Sequence, residues 1–93
     1  MALTFEWDEE KAQANVHKHG VSFEEAKTVF NDPLAMTISD PDHSCQEDRY
    51  IDLGLSVRGR ILMVWYTERR GNIRIIGSRK ATRGQRRWYE EGH

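Results

Sequence analysis

The chain has 93 residues, 31% of them charged, with one cysteine and a formal net charge of −1 at pH 7. That length fits a single compact domain, residues 1–93, with a modest core. A lone cysteine excludes an internal disulfide framework, and no apolar run is long enough to span a bilayer and no signal pattern opens the chain, so a cytoplasmic protein without a membrane partner is expected.

Met1 to Phe5 reads as a short extended lead-in. Asp8 is suited to cap a first helix running to about His19, with Glu9 and Glu10 in its first turn and Lys18 and His19 in its last, where the helix dipole favours each sign. Gly20 stands where such a helix stops. "SFEEA" then makes Ser22 an N-cap with Glu25 three residues on, a capping box. Phe23, Ala26 and Phe30 share one face of this second helix, which "NDP" at Asn31 to Pro33 closes.

Four strands follow. "LAMTIS" is the first, and "SDPDHSCQED" is a polar loop after it. "RYIDLGLSV" alternates, with Ile51, Leu53, Leu55 and Val57 on one side, so it is a strand with one buried face. "RGR" at Arg58 to Arg60 is a tight turn into "ILMVWYT", apolar on both faces as a covered central strand is. "ERRGN" is a second hairpin turn and "IRIIGSRK" the last strand. "TRGQRRWYEE" closes the chain as a helix capped by Thr82, with Gly84 weakening it by about 1 kcal/mol relative to alanine. The expected fold is α+β: two N-terminal helices, an antiparallel sheet of about four strands joined by short turns, and a C-terminal helix.

The small net charge hides a division. Met1 to Val57 holds 4 basic against 12 acidic residues, and Arg58 to His93 holds 10 against 3, giving −8 and +7. Attraction between the halves absorbs part of this. The density of Arg79, Lys80, Arg83, Arg86 and Arg87 at one end still marks a surface for a polyanion or an acidic protein. Guanidinium groups suit phosphate because their planar fork donates two parallel hydrogen bonds. Trp88 and Tyr89 offer faces for stacking bases of single-stranded RNA. The plainer alternative is a solvated basic helix with one aromatic packed on the sheet.

Two smaller constellations stand upstream. In "NVHKHG", His17 and His19 are two apart and point different ways on a helix, against a metal site. A histidine beside a phosphate is suited to acid–base work; the alternative is a cationic helix end. In "EDRY", Glu47 and Arg49 point the same way on a strand and are placed to form an ion pair, of little worth at a strand edge. Cys45 lies in a polar stretch with no helper for a nucleophile. No phosphate-cradling glycine loop, zinc pattern or Ser-His-Asp arrangement is readable, so neither cofactor nor metal is expected.

"FEWDEEKAQANVHKHGVSFEEAKTVFNDPLA" at Phe5 to Ala35 resembles the opening of the BrnT toxin family. The family pattern is matched by Trp7, Asp8, Lys11, Asn15, Lys18, His19, Gly20, Val21, Phe23 and Asp32-Pro33. "DPDHS", "EDRYIDLG", "RILMVWYTER" and "IRIIGSRKATRGQRRWYEE" follow in family order, so the resemblance covers nearly the whole chain. The family tail runs Ala-x-x-x-Glu-Arg-x-x-Tyr-Glu. Ala81, Arg86, Tyr89 and Glu90 match it, while Gln85 stands where glutamate is usual.

The resemblance implies a ribonuclease toxin of a type II toxin–antitoxin pair with a fold similar to the RelE toxins. It further implies neutralisation by a BrnA-type ribbon-helix-helix antitoxin, two toxins assembling with two antitoxins, and contact with operator DNA only through the antitoxin. Cleavage of RNA without a metal uses the 2′-hydroxyl as nucleophile and needs charge neutralised at the phosphate. On this reading Arg79 and Arg86 clamp the phosphate, Tyr89 or His19 handles proton transfer or orientation, and Lys18, Arg49, Glu47, Lys80, Arg83 and Arg87 contact substrate. The alternative is a non-catalytic module that binds RNA or sequesters the antitoxin.

Overall fold

The structure, a computed structural model, describes residues 3–40 and 48–92. Its elements are β1 (Thr4–Glu6), α1 (Glu9–His19), α2 (Phe23–Lys27), a 3-10 turn (Thr28–Asn31), β2 (Met36–Ser39), β3 (Arg49–Leu55), β4 (Ile61–Arg69), β5 (Asn72–Lys80) and α3 (Arg83–Glu91). The strands form one sheet in the order β1-β5-β4-β3-β2. Strands β2 to β5 are antiparallel neighbours, and β1 joins β5 in parallel.

The sheet is therefore mixed and five-stranded, where about four antiparallel strands were expected. The lead-in is the missing strand. Three residues are too few to show a period, and β1 exists because of its partner: Phe5 lies beside Ile73 and Glu6 beside Arg74, where a 2.8 Å ion pair joins Glu6 and Arg74.

The helix ends form as their local chemistry dictates. Asp8 accepts a hydrogen bond from the Lys11 amide at 3.1 Å, and Gly20 closes α1 in the left-handed conformation. Ser22 accepts from the Glu25 amide at 3.0 Å, but the Glu25 carboxylate does not return to complete the box. It is buried and paired with Arg60, whose Nη2 contacts its Oε1. The Arg60 Nε donates to Oε2 at 2.9 Å and the Ser56 hydroxyl at 2.7 Å. A forked guanidinium satisfies both carboxylate oxygens at once, which a cap cannot. Its hydrogen bonds hold the Glu25 pKa below the usual carboxylate range despite burial. The second helix also changes pitch: it is α-helical only to Lys27 and ends as the 3-10 turn.

Helices α1 and α2 cover one sheet face. Phe23, Ala26 and Val29 are buried there with Leu62, Val64, Tyr66, Ile73 and Ile75. A smaller cluster of Leu53, Met63 and Ala81 lies on the opposite face, with Ile51, Trp65 and Tyr89 partly buried against it. Helix α3 crosses that face with no fully buried residue of its own, and among the described residues no other helix lies over it. The hairpin between β4 and β5 turns through Arg70 and Gly71, both at positive φ (52° and 82°), the geometry that matches strand twist. No helix among the described residues is long and apolar enough to cross a membrane.

Phe30 is half-buried, edge-on to Phe5 at 5.1 Å and to Tyr66 at 4.9 Å. Truncating it to alanine removes both ring contacts and part of the cover over Tyr66. Phe30→Ala should cost about 3 kcal/mol, the lower end of what a phenylalanine truncation removes because the ring is not fully enclosed. Urea unfolding measures this; a midpoint equal to that of the wild type would refute the packing.

Candidate functional site

A β-bulge decides where the key cation points. Trp65 pairs with Gly77 and Tyr66 with Ile75, so Ile76 has no partner across the ladder. Side chains alternate strictly along an unbroken strand, which would put Arg79 on the same side as Ile73 and Ile75. The extra residue resets the alternation. Ile73 and Ile75 face the helices, while Arg79 pairs with Met63 on the open face. The outer edge of β5 beyond β1 is closed by a side chain. Asn15 of α1 donates to the Ser78 carbonyl at 2.8 Å and accepts from the Ser78 amide at 3.2 Å, standing in for a neighbouring strand. A third bond, to the Val21 carbonyl at 2.8 Å, ties α1 to the start of α2.

The guanidinium of Arg79 is held by neutral groups alone. Its Nη1 donates to the Lys80 carbonyl at 3.0 Å and to Gln85 Oε1 at 3.1 Å. Its carbon lies 5.4 Å from the centre of the Trp65 ring, within range of a cation–π contact. Gln85 does double duty: the same Oε1 accepts from the Thr82 amide at 2.9 Å, and Thr82 caps the helix in return. The capping box that starts α3 therefore also aims Arg79. No carboxylate among the described residues pairs with it.

Arg86 has different surroundings. It lines a cleft of about 420 Å³ with Lys80, Arg60 and Glu90, floored by Leu55, Ile61 and Ala81. Arg79 is not among the residues that line the cleft, nor are Trp65 and Gln85, which hold it. The pair expected to clamp one phosphate thus occupies two neighbouring environments. Arg83 and Arg87 are exposed on α3, and Trp88 beside them is 39% exposed, leaving a ring face available.

Tyr89 is committed to structure. Its hydroxyl donates to Asp32 Oδ2 at 2.5 Å. Burial and the adjacent Asp32 carboxylate push its pKa up to about 12, so it keeps its proton at neutral pH. Asp32 also accepts from the Leu55 amide at 2.8 Å and the Leu34 amide at 2.9 Å. Burial alone would raise the Asp32 pKa; the three hydrogen bonds outweigh it and lower the value.

His19 and Lys18 lie at the end of α1. The His19 side chain makes no hydrogen bond among the described residues, but the next carbonyl, of Gly20, accepts from Arg60 at 3.1 Å. Arg60 lines the cleft, so this helix end borders the Arg86 side of the site. Arg49 is half-buried on the open sheet face and unpaired among the described residues. Glu47, its expected partner, and Cys45 lie outside the described residues. Among the described residues no group of three or more His, Cys, Asp or Glu is placed to hold a metal ion.

Sequence reasoning singled out neither Trp65 as the platform for Arg79 nor Asp32 as the anchor of α3. Asp32 sits in the quoted "NDP" triplet, where a terminator of the second helix was the evident role. Its bonds to residues 23 and 57 positions away leave no local signature.

A small α+β protein that keeps one sheet face open and sets unpaired guanidinium groups there beside a tryptophan has the makings of a nucleic-acid-backbone binder. The family model for the ribonuclease toxin, BrnT, of type II toxin–antitoxin systems matches residues 7–85, and the chain belongs to that family. An RNA substrate and an antitoxin partner go with membership. The crystal structure of the Brucella abortus ribonuclease toxin BrnT superimposes with a TM-score of 0.65 at 22% identity, covering 88% of this chain and 100% of that one. At that identity the likeness concerns the fold. No match is found among curated proteins.

The Asp32–Tyr89 contact gives a pH-dependent expectation. Because the folded pKa of Asp32 is depressed, its contribution to stability is complete above the ordinary carboxylate pKa. It is lost as pH falls through the depressed value. Tyr89→Phe should lower stability by about 1–2 kcal/mol at neutral pH and reduce the further loss on acidification. Thermal unfolding of both proteins from neutral pH into the acid range tests this; parallel curves would show that the hydroxyl does not act through Asp32.

Proposed function

We propose that this chain is a metal-independent endoribonuclease that cuts RNA by attack of the 2′-hydroxyl, works in the cytoplasm as one domain, and is silenced by a BrnA-type ribbon-helix-helix antitoxin. The observation that carries the reading is Arg79: a guanidinium fixed by Gln85, a carbonyl and an aromatic ring, with its charge uncancelled. Such a group meets the charge that develops on a phosphate without reorganising at the moment of reaction.

In this reaction the 2′-oxygen gives up its proton and bonds to phosphorus. The bond from phosphorus to the 5′-oxygen breaks, and that oxygen takes a proton. The products carry a 2′,3′-cyclic phosphate and a free 5′-hydroxyl. Arg79 neutralises the phosphate, and Arg86 with Lys80 holds the neighbouring backbone from the cleft. His19 is the side chain suited by type to move a proton. Tyr89, whose own proton is held by Asp32, orients α3. Lys18, Arg49, Arg83 and Arg87 add to the field that draws the polyanion in.

Purified protein incubated with RNA in the presence of EDTA should yield fragments ending in cyclic phosphate. Arg79→Ala should reduce cleavage about 100-fold or more, the effect of losing one preorganised charge donor, with an unchanged melting temperature; Arg86→Ala should also reduce it. Binding without cleavage in the wild type would favour the non-catalytic module instead, and fragments bearing 5′-phosphate would refute the 2′-hydroxyl route.

The antitoxin, in this proposal, joins as two copies to two toxins and covers Arg83 and Arg87. Opposite charge speeds association and makes the rate fall with salt. Arg83→Glu with Arg87→Glu should slow antitoxin capture at low salt and change it little at high salt. Stopped-flow association rates indifferent to both would place the antitoxin on another face.

A further inference from the structure

The open sheet face carries a second row of cations to which the reaction as described assigns no particular phosphate. Arg49, Thr67 and Arg74 stand directly opposite one another on β3, β4 and β5. Neighbouring strands lie about 4.8 Å apart, so the two arginines flank Thr67 on the same face. Trp65 is the next residue of β4 on that face, about 7 Å further along the strand, and the Arg79 guanidinium lies over its ring.

Two features of this row, at Arg49 and Thr67, point to an absent partner, while Arg74 is held in place by its own ion pair. Arg49 is half-buried and, among the described residues, makes no ion pair. Arg74 is oriented from behind by Glu6 at 2.8 Å, and Glu6 is itself held by Asn72 at 3.2 Å. Between the two arginines, the hydroxyl of Thr67 is fully buried with no hydrogen-bond partner. A buried hydroxyl left unpaired costs free energy, and most such groups in folded proteins find a partner. Two guanidinium groups beside an unused hydroxyl donor form a set fitted to a phosphate oxygen, which reaches the hydroxyl when the side chains covering it draw aside.

We propose that Arg49, Thr67 and Arg74 form a second phosphate subsite, which takes the RNA backbone phosphate adjacent to the one held by Arg79, with Trp65 between them as a stacking surface for the intervening base. This rests on the reading of the chain as an RNA-cleaving toxin and adds the direction in which the strand runs: along β4, from the Arg79 end toward the β4–β5 hairpin. It also assigns a minimum substrate, since a dinucleotide has one phosphate and cannot occupy both subsites.

The test is binding of a 2′-O-methyl RNA oligonucleotide, which lacks the nucleophile, followed by fluorescence anisotropy over a range of salt. Each phosphate contact on a single strand contributes about −0.7 to the slope of log K against log salt. Arg49→Ala and Arg79→Ala should each flatten the slope by about 0.7, and the double variant by about 1.4, because separate phosphates are lost. Thr67→Val, which keeps the shape and removes the hydroxyl, should weaken binding without changing the slope, and guards against loss of folding in the arginine variants. If Arg79→Ala flattens the slope while Arg49→Ala and Thr67→Val leave affinity unchanged, the second subsite is refuted and the ribonuclease reading stands. Equal single effects with no further change in the double variant would mean one shared phosphate, and also refute it. Wild-type protein that does not bind the oligonucleotide would overturn both.

Discussion

The Asp32 carboxylate is the point through which the C-terminal third of the site is held. One oxygen turns its own loop by accepting from Leu34, and the other joins the end of β3 to the hydroxyl of Tyr89 on α3. Helix α3 needs this because it buries no residue completely. A short, highly charged helix has little intrinsic stability and depends on tertiary contacts. The approach of the Asp32 loop to β3 also depends on Gly54: a Cβ there would lie 2.8 Å from Val29 Cγ1 and 2.9 Å from the Ala35 methyl. Backbone closeness at Gly54 thus sets where Asp32 sits, and Asp32 sets where α3 lies.

What could be read from the sequence follows from how local each determinant is. The caps at Asp8, Ser22 and Thr82 and the stop at Gly20 act over three or four residues, and the structure forms each of them. The tight turns at Arg58–Arg60 and Arg70–Gly71 are equally local. The strand β1 was not legible, because it is defined by Ile73 and Arg74, far along the chain. The capping role assigned to Glu25 failed for the same reason: Arg60, 35 residues away, offered its carboxylate a better geometry. The cations of the site were visible as a charge density. Their division into an open sheet face with Arg79 and a cleft with Arg86 was not, because the bulge at Ile76 inverts the side on which Arg79 emerges.

The unequal halves of the chain interact, but only in part. Glu25–Arg60 and Glu6–Arg74 both join the acidic half to the basic half. The first is a buried, forked pair, and loss of either partner would leave a charge stranded; the second is half-exposed and fixes an edge strand. Both lie before Arg79 in the basic half. Among the described residues Arg79, Arg83, Arg86 and Arg87 have no carboxylate partner, so positive charge accumulates where α3 meets β5. Attraction between the halves accounts for the fold's internal pairs and leaves this surface unneutralised.

Gln85 sets the character of that surface. A glutamate at this position would accept the same bonds from Thr82 and Arg79 and would still start the helix. It would also place a negative charge against the guanidinium and weaken its field toward a phosphate. The neutral amide aims Arg79 without opposing it, and the other two contacts, a carbonyl and the Trp65 ring, are likewise uncharged. The aim nevertheless depends on two separate parts of the molecule. Trp65 belongs to β4, flanked on both sides by hydrogen-bonded strands, and is as rigid as the sheet. Gln85 belongs to α3 and stays in place only while Tyr89 is held. Arg79 therefore keeps its ring contact on the strength of the sheet alone, but gains its directing hydrogen bond through a path that leads from Gln85 along the helix to Tyr89 and ends at Asp32.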